Sequence, residues 1–436
     1  MVLFAHIWGN DWICYHIFLQ RVQGLAMIKS KTQLINMHSL FPKLTAYEFI
    51  LFLYVNRIMI NTASKYAFGE AFASHANLII NGIIALYTLF LIIEEAMPLD
   101  ILIVLCLYLL QVFVTVTITP SLTDIASDAM RRFAQCYFGY CLFSRIKDSS
   151  SITHILPYTM VALIVYSYLM LRVANIDHSN NAEYFPVSYG IVLQATLMLL
   201  YTRMIPLYGP VGILATLVIL FAGARGAFIC VVAAVALSLI TTVSVSRSIL
   251  SKFLWSGLIA GVFIILAVNF DSLVDAIHTM MPDSRTMRLF VSETTIDNSR
   301  LTIWQQITNE LINHPFIYRG VLSDRLVGGV VYGMTPHSGT YAHNLFLEFF
   351  YQNGLLIGIP IMLLFLYKTT KAIQYLYSSS QMKSERLLFI ALFSCSIVQL
   401  MYSNSYLINW IFWCLIGFVR HILVLKHNSI DASDAS

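Results

Sequence analysis

The chain has 436 residues, of which 58% are hydrophobic and only 11% charged, with a formal net charge of +4 and a mean hydropathy of +0.75. A water-soluble globule of this size needs far more polar surface, so a soluble fold is excluded and the bilayer is the solvent. The apolar runs are continuous rather than alternating, which points to spanning helices of about 20 residues each instead of barrel strands.

Taken in chain order, residues 1–26 fit a span poorly, because His6, Asn10, Asp11 and His16 interrupt the apolar residues and no small-residue cleavage site follows. They read as an interfacial extension, or as the product of a start placed ahead of Met27. Twelve spans are predicted beyond them, at 44–62, 76–93, 99–119, 128–145, 152–173, 187–204, 207–222, 225–244, 251–269, 343–366, 385–401 and 405–425. The span at 128–145 carries Arg131 and Arg132 at one end, which also suits a helix in the interface.

With both termini on the cytoplasmic side, Lys29, Lys31, Lys43, Lys147, Lys252, Lys368, Lys371, Lys383 and Lys426 all stay there and only Lys65 falls outside, as positively charged flanks require. Counting residues 1–19 as a further span would move Lys29, Lys31 and Lys43 outward, so that topology is not preferred. The resulting plan is an all-α bundle: a cytoplasmic or interfacial segment 1–43, nine spans over 44–269, an outer loop 270–342, three spans over 343–425 and a cytoplasmic tail 426–436. The tail from Asn428 is polar and reads as disordered. Most cysteines (Cys106, Cys136, Cys141, Cys230, Cys395, Cys414) lie within spans, without metal or redox spacing, and read as packing residues.

Function is expected around the loop from Phe270 to Ala342, because a connection that long is uncommon without a role. Its basic residues are Arg285, Arg288, Arg300, Arg319 and Arg325, with no lysine. Guanidinium groups present a rigid fork of donors suited to phosphate or carboxylate. The competing use is pairing with the loop's own Asp271, Asp275, Asp283, Glu293, Asp297, Glu310 and Asp324.

Within the loop, Asp297-Asn298-Ser299-Arg300 leads into Leu301, Ile303, Trp304, Ile307, Leu311 and Ile312 and stops at His314-Pro315, which predicts an amphipathic helix. Its apolar face would rest on the loop or on the membrane surface. Arg300 is expected in the first turn, where the helix dipole favours an anion. Gly223-Ala224-Arg225-Gly226-Ala227 is a turn between spans whose small residues leave Arg225 uncovered, although a boundary arginine often only snorkels to headgroups. At the re-entry, Tyr341-Ala342-His343-Asn344-Leu345-Phe346-Leu347-Glu348 places His343 and Asn344 at a helix mouth, with Glu348 on the face of Asn344. Imidazole is suited to proton transfer near neutral pH, while a lone interfacial histidine is often structural. Trp304, Tyr332 and Tyr341 could stack on sugar rings or simply pack.

No metal-ligating cluster, nucleotide-binding glycine loop or nucleophile elbow occurs, and no acidic pair of the kind that metal-dependent nucleotide-sugar transferases carry. No cofactor, metal or nucleic-acid partner is therefore expected.

Gly-Ala-Arg-Gly-Ala at 223–227, Asn-Ser-Arg-Leu-Thr-Ile-Trp at 298–304, His-Pro at 314–315 and His-Asn-Leu-Phe-Leu-Glu-Phe-Phe-Tyr-Gln-Asn-Gly-Leu-Leu-Ile-Gly at 343–358 together resemble the O-antigen polymerase and O-antigen ligase superfamily, most strongly over residues 185–365. The chain departs from its pattern in Ala224, where many members have serine, and in Tyr318-Arg319-Gly320, where Gly-x-Gly is common. The resemblance implies a metal-independent glycosyltransferase of the membrane-embedded GT-C type, acting at the periplasmic face of the bacterial inner membrane on undecaprenyl-diphosphate-linked oligosaccharides. It implies Arg225, Arg300 and His343 as catalytic residues, with Arg285, Arg288, Arg319, Trp304, Tyr341 and Asn344 around the substrate. A chain-length regulator and a flippase are the implied protein partners. Polymerase is preferred over ligase. The competing class is a lipid or solute transporter, but no repeated halves are visible, and Arg57 and Glu48, the main ionisable residues inside a span, read as lying towards its ends.

Overall fold

The computed structural model describes residues 41–94, 99–146, 150–173, 184–222, 225–245, 296–333, 335–336, 340–378, 382–402 and 404–434. The predicted span at 251–269, the loop as far as residue 295, and the N-terminal extension lie outside them. The helices form one unit, Leu44–Ser436. Among the described residues every regular element is helical.

The first nine α-helices among the described residues are α1 (Ala46–Phe68), α2 (Glu70–Glu94), α3 (Leu99–Ile118), α4 (Thr123–Ser144), α5 (Ser150–Val173), α6 (Tyr184–Tyr201), α7 (Tyr208–Phe221), α8 (Arg225–Val245) and α9 (Ile296–Asn313). After them come α10 (Asp324–Tyr332), α11 (Leu345–Ser378), α12 (Lys383–Phe393) and α13 (Trp410–Asp434). Among the described residues six helical segments are long and apolar enough to cross a membrane: Glu70–Ile93, Ile101–Ile118, Ser150–Arg172, Leu345–Ser378, Lys383–Met401 and Trp410–His427. Val187–Tyr201, Tyr208–Leu220 and Gly226–Thr241 are shorter apolar helices. On α2 and α3, Leu78, Leu86, Ile93 and Phe113 stand exposed, a surface that only lipid covers without penalty. The chain is a multi-pass helical membrane protein.

Helix α1 opens with a reciprocal cap: Thr45 Oγ1 accepts from the Glu48 amide at 3.2 Å and the Thr45 amide donates to Glu48 Oε2 at 2.8 Å. His154 Nδ1 lies 2.7 Å from Glu48 Oε1. This helix runs past the predicted boundary to Phe68, which puts Arg57 near its middle and corrects its expected place towards an end. The Arg57 guanidinium is buried, donates to the Tyr54 carbonyl at 2.7 Å and lies over the rings of Tyr54 and Trp410 at 4.1 and 4.7 Å. Helix α4 packs along α13, and from Phe133 onward most of its residues are buried. Arg131 and Arg132 sit on the exposed end, both paired with Asp128.

Helices α6 and α7 pack on one another, and α8 packs on α6 and on a π-helical turn, Ser394–Val398, that continues α12. There Cys395 Sγ lies 3.3 Å from Thr196 Oγ1. Cys136, Cys141, Cys230, Cys395 and Cys414 are free and buried, as small apolar packing residues would be; Cys106 is free and exposed. Helix α13 continues to Asp434 and includes most of the tail that polarity alone marks as disordered.

The structure departs from expectation twice near the loop. Helix α9 begins at Ile296, so Arg300 lies in its second turn and not at the amide-rich first turn. Its apolar face rests on the loop, one of the two expected places: Ile303 and Ile307 are buried against Ala342 and Tyr351, with Val327, Val331 and Leu347 packed around them. Helix α11 is longer than the predicted span 343–366 and is interrupted at Gly354 (φ 67°, ψ 162°), a left-handed-side conformation that favours glycine. The chain after α9 docks into the break. The Gln352 carbonyl accepts from the Arg319 and Gly320 amides at 3.1 and 3.0 Å, and the Leu355 amide donates to the Pro315 carbonyl at 2.7 Å.

Candidate active site

The site is built from three segments that meet beside the first half of α11. The docked segment 315–320 leads through Leu322 (φ 71°) into α10, which starts with Asp324 and Arg325. Gly328 then allows α10 to touch the returning chain, since a Cβ there would collide with the Thr340 carbonyl oxygen. The third segment is the connection 404–409 ahead of α13, whose Ser405, Tyr406 and Asn409 are buried.

Arg325 is the hub and is 1% exposed. Its Nη1 donates to Asp324 Oδ1 at 2.5 Å and to Glu348 Oε1 at 2.7 Å, and its Nη2 donates to Ser405 Oγ at 2.7 Å. Ser405 Oγ also donates to Glu348 Oε1. Gln352 Nε2 donates to Asp324 Oδ1 at 2.7 Å, and Gln352 Oε1 accepts from the Tyr406 hydroxyl at 2.6 Å. Both carboxylates are fully buried, and their attraction holds the guanidinium firmly protonated despite the cost of burial. Asp324 Oδ2 faces the other way and accepts from the Ala342 amide at 2.9 Å.

His343 follows Ala342 and precedes α11. It is one of two non-glycine residues with positive φ among the described residues, at 54°. Its Nδ1 is buried and, among the described residues, without a hydrogen-bond partner. Burial, with Arg300 and then Arg325 nearby, pushes its pKa down to about 3, so the imidazole is neutral at physiological pH and keeps a lone pair for an incoming proton. The Tyr341 ring lies 4.1 Å from the His343 ring, and Arg325 lies over it at 5.3 Å.

The structure gathers part of the expected set. His343, Tyr341, Trp304 and Arg300 come together: Trp304 Nε1 donates to the Ala342 carbonyl at 2.7 Å, and the charge of half-buried Arg300 acts on both His343 and Tyr341. Asn344 caps α11, its Oδ1 accepting from the Phe346 and Leu347 amides at 3.1 and 3.2 Å. Arg319 lies at the other end of α9, where its guanidinium donates to the Glu310 and His314 carbonyls at 3.0 and 3.3 Å and stacks on Tyr351 at 4.7 Å. It closes the helix C-terminus in the way a cation there should. Arg225 is the first residue of α8; its side chain, and Arg285 and Arg288, lie outside the described residues.

Sequence reasoning considered Asp324 only as a partner for the loop's arginines and missed that Glu348, Gln352, Ser405 and Tyr406 join it. One signal was available: Glu348 and Gln352, four apart in an apolar helix, share a face. Among the described residues no three histidine, cysteine or acidic side chains are placed to hold a metal ion.

Comparison with protein-family models matches residues 210–366 to a family described as O-antigen ligase. The matched segment contains α8, α9, α10, the His343 connection and the Gly354 break. Searches of curated proteins and of solved structures returned no match.

Proposed function

We propose, from the match of residues 210–366 to the O-antigen ligase family model, which supports the O-antigen polymerase and ligase superfamily of glycosyltransferase-like enzymes, that this chain is an O-antigen polymerase. It joins undecaprenyl-diphosphate-linked repeat units at the periplasmic face of the inner membrane, within a twelve-span GT-C-like topology. The observation that carries the reading is His343: a half-buried, neutral imidazole whose Nδ1 is buried and has no hydrogen-bond partner among the described residues, in the field of Arg300 and Arg325.

In this reaction the acceptor sugar hydroxyl forms a bond to the donor's anomeric carbon while the bond from that carbon to the diphosphate oxygen breaks. The electron pair leaves with the diphosphate, and the hydroxyl proton passes to His343. Arg300 and Arg225 receive the growing negative charge, and fixed guanidinium groups in a poorly hydrated site stabilise that transition state selectively. Burial is the main cause of the depressed His343 pKa, and the arginine field that adds to it is offset once the anionic diphosphate arrives, so the imidazole becomes a stronger base when a donor is present. Arg285 and Arg288 are the further arginines proposed to bind the substrate. Two lipid-tethered substrates meeting in one cavity supply a large effective concentration. A chain-length regulator and a flippase are the proposed protein partners.

A second reading, O-antigen ligase with lipid A core as acceptor, is favoured by the description of the matching family model. Deleting the gene separates the two. Loss of a polymerase leaves single repeats on the core, whereas loss of a ligase leaves core with none, and an unchanged glycan pattern rules out both.

A further inference from the structure

Ala342 is gripped from both sides. Its amide donates to Asp324 Oδ2 at 2.9 Å and its carbonyl accepts from Trp304 Nε1 at 2.7 Å. The residue is itself fully buried in the cluster of Ile303, Ile307 and Tyr351. The next residue, His343, has a left-handed backbone that L-residues with a Cβ adopt at a cost, and such a conformation persists only where its surroundings over-determine it. Asp324 is in turn immobilised through Oδ1 by Arg325 and Gln352, and Arg325 by Glu348 and Ser405. The buried network thus ends on the peptide that presents His343.

We propose that Asp324 and Trp304 are positioning residues that clamp Ala342 and so set the backbone and ring orientation of His343, with the Arg325, Glu348, Gln352 and Ser405 network serving as the rigid mount of that clamp. The inference rests on the reading of His343 as the group that takes the acceptor's proton.

The two clamp bonds can be removed separately. Trp304→Phe keeps an aromatic ring in the α9 face but has no N–H. Asp324→Asn cannot satisfy both sides, because its Oδ1 position faces donors from Arg325 and Gln352 while Oδ2 faces the Ala342 donor, so one donor meets an NH2 group.

The test uses the full-length protein in nanodiscs, supplied with lipid-linked repeat units extracted from cells lacking the gene. Trp304→Phe should lower kcat by about tenfold to a hundredfold, the range expected when a reacting group is misplaced by about 1 Å, with little change in KM.

Two further readouts distinguish positioning from general damage. Among the described residues, the charged and titratable groups around His343 are Arg300 on α9, Arg325 with its carboxylates Asp324 and Glu348 on α10 and α11, and Tyr341 on its own connection. Loosening the clamp admits water to the imidazole and moves its pKa up from about 3. An acid limb then appears in kcat/KM at a pH where the wild type shows none, because that profile reports the free enzyme. A merely structural loss lowers the active fraction at every pH alike. In addition, Trp304→Phe should cost almost nothing further on a His343→Gln background.

Equal losses from Trp304→Phe with and without His343, or an unchanged kcat in both clamp variants while His343→Gln is inactive, would overturn the clamp. If His343→Gln retains wild-type turnover, it is the underlying reading of His343 that fails. Should Asp324→Asn not fold, Trp304→Phe decides alone.

Discussion

Replacing Arg325 by methionine removes the one cation that two buried carboxylates share. Its Nη1 contacts Asp324 Oδ1 at 2.5 Å and Glu348 Oε1 at 2.7 Å, and both acids are fully buried. Methionine fills much of the volume but leaves the pair uncompensated, so one acid must take up a proton and the Ser405 hydroxyl loses a donor. Breaking a buried ion pair by removing one partner costs about 3–5 kcal/mol. At roughly 2.1 cal/mol/K of unfolding entropy per residue, that lowers the thermal midpoint by about 4–6 °C for a unit of this size. Retention of the monodisperse peak after heating in detergent measures it.

Glu348→Gln should cost less, because the Arg325–Asp324 pair survives and the carboxamide oxygen still accepts. The double variant Arg325→Met/Glu348→Gln should lose less than the sum of the two, since it removes one of the stranded carboxylates. A wild-type midpoint in Arg325→Met, or strict additivity in the double variant, would refute the reasoning.

Three glycines should rank by what a methyl group meets. Gly328→Ala drives a Cβ into the Thr340 carbonyl oxygen and should be the most destabilising; Gly354→Ala combines φ 67° with the Ile317 carbonyl oxygen at 2.8 Å and should follow; Gly82→Ala meets nothing within 4 Å and should be neutral or stabilising by about 0.5–1 kcal/mol in its helix. The same heating assay checks the order, and Gly82→Ala as the worst variant would contradict it. The low pKa of His343 gives a pH dependence with a definite sign. Its folded value, about 3, lies below the ordinary 6.5, so the unfolded chain binds the proton first as pH falls. The associated stability is complete above about pH 6.5 and is lost on the way down to about pH 3, with a slope of up to ~1.4 kcal/mol per pH unit. His343→Gln should flatten the midpoint-against-pH curve in that window, and equal slopes in the two proteins would count against the burial of the imidazole.

The apolar runs were legible because a bilayer selects continuous hydrophobic stretches, and each predicted span within the described residues overlaps a helix. Helix ends were less so. The first span was expected to end at residue 62, yet α1 continues to Phe68, since helix propensity does not require hydrophobicity. The break at Gly354 is invisible to hydropathy: it depends on segment 315–320 supplying the missing donors and acceptor, a tertiary event. In the same way the Arg325 hub joins residues 23 and 80 positions away in sequence, and local pattern carries no information at that range. His343 could be singled out because it stands where the long loop re-enters a helix; its left-handed backbone and the grip of Trp304 and Asp324 on its neighbour could not.

The most direct measurement is the surface glycan pattern of a null strain complemented with Arg300→Lys at matched membrane levels. Lysine keeps the positive charge but loses the planar fork of donors that a diphosphate takes. A collapse of the polymer ladder towards single repeats on the core is the predicted result. Polymer of wild-type length and yield would contradict the assignment of Arg300 to the leaving diphosphate, and with it the proposed reaction at this site.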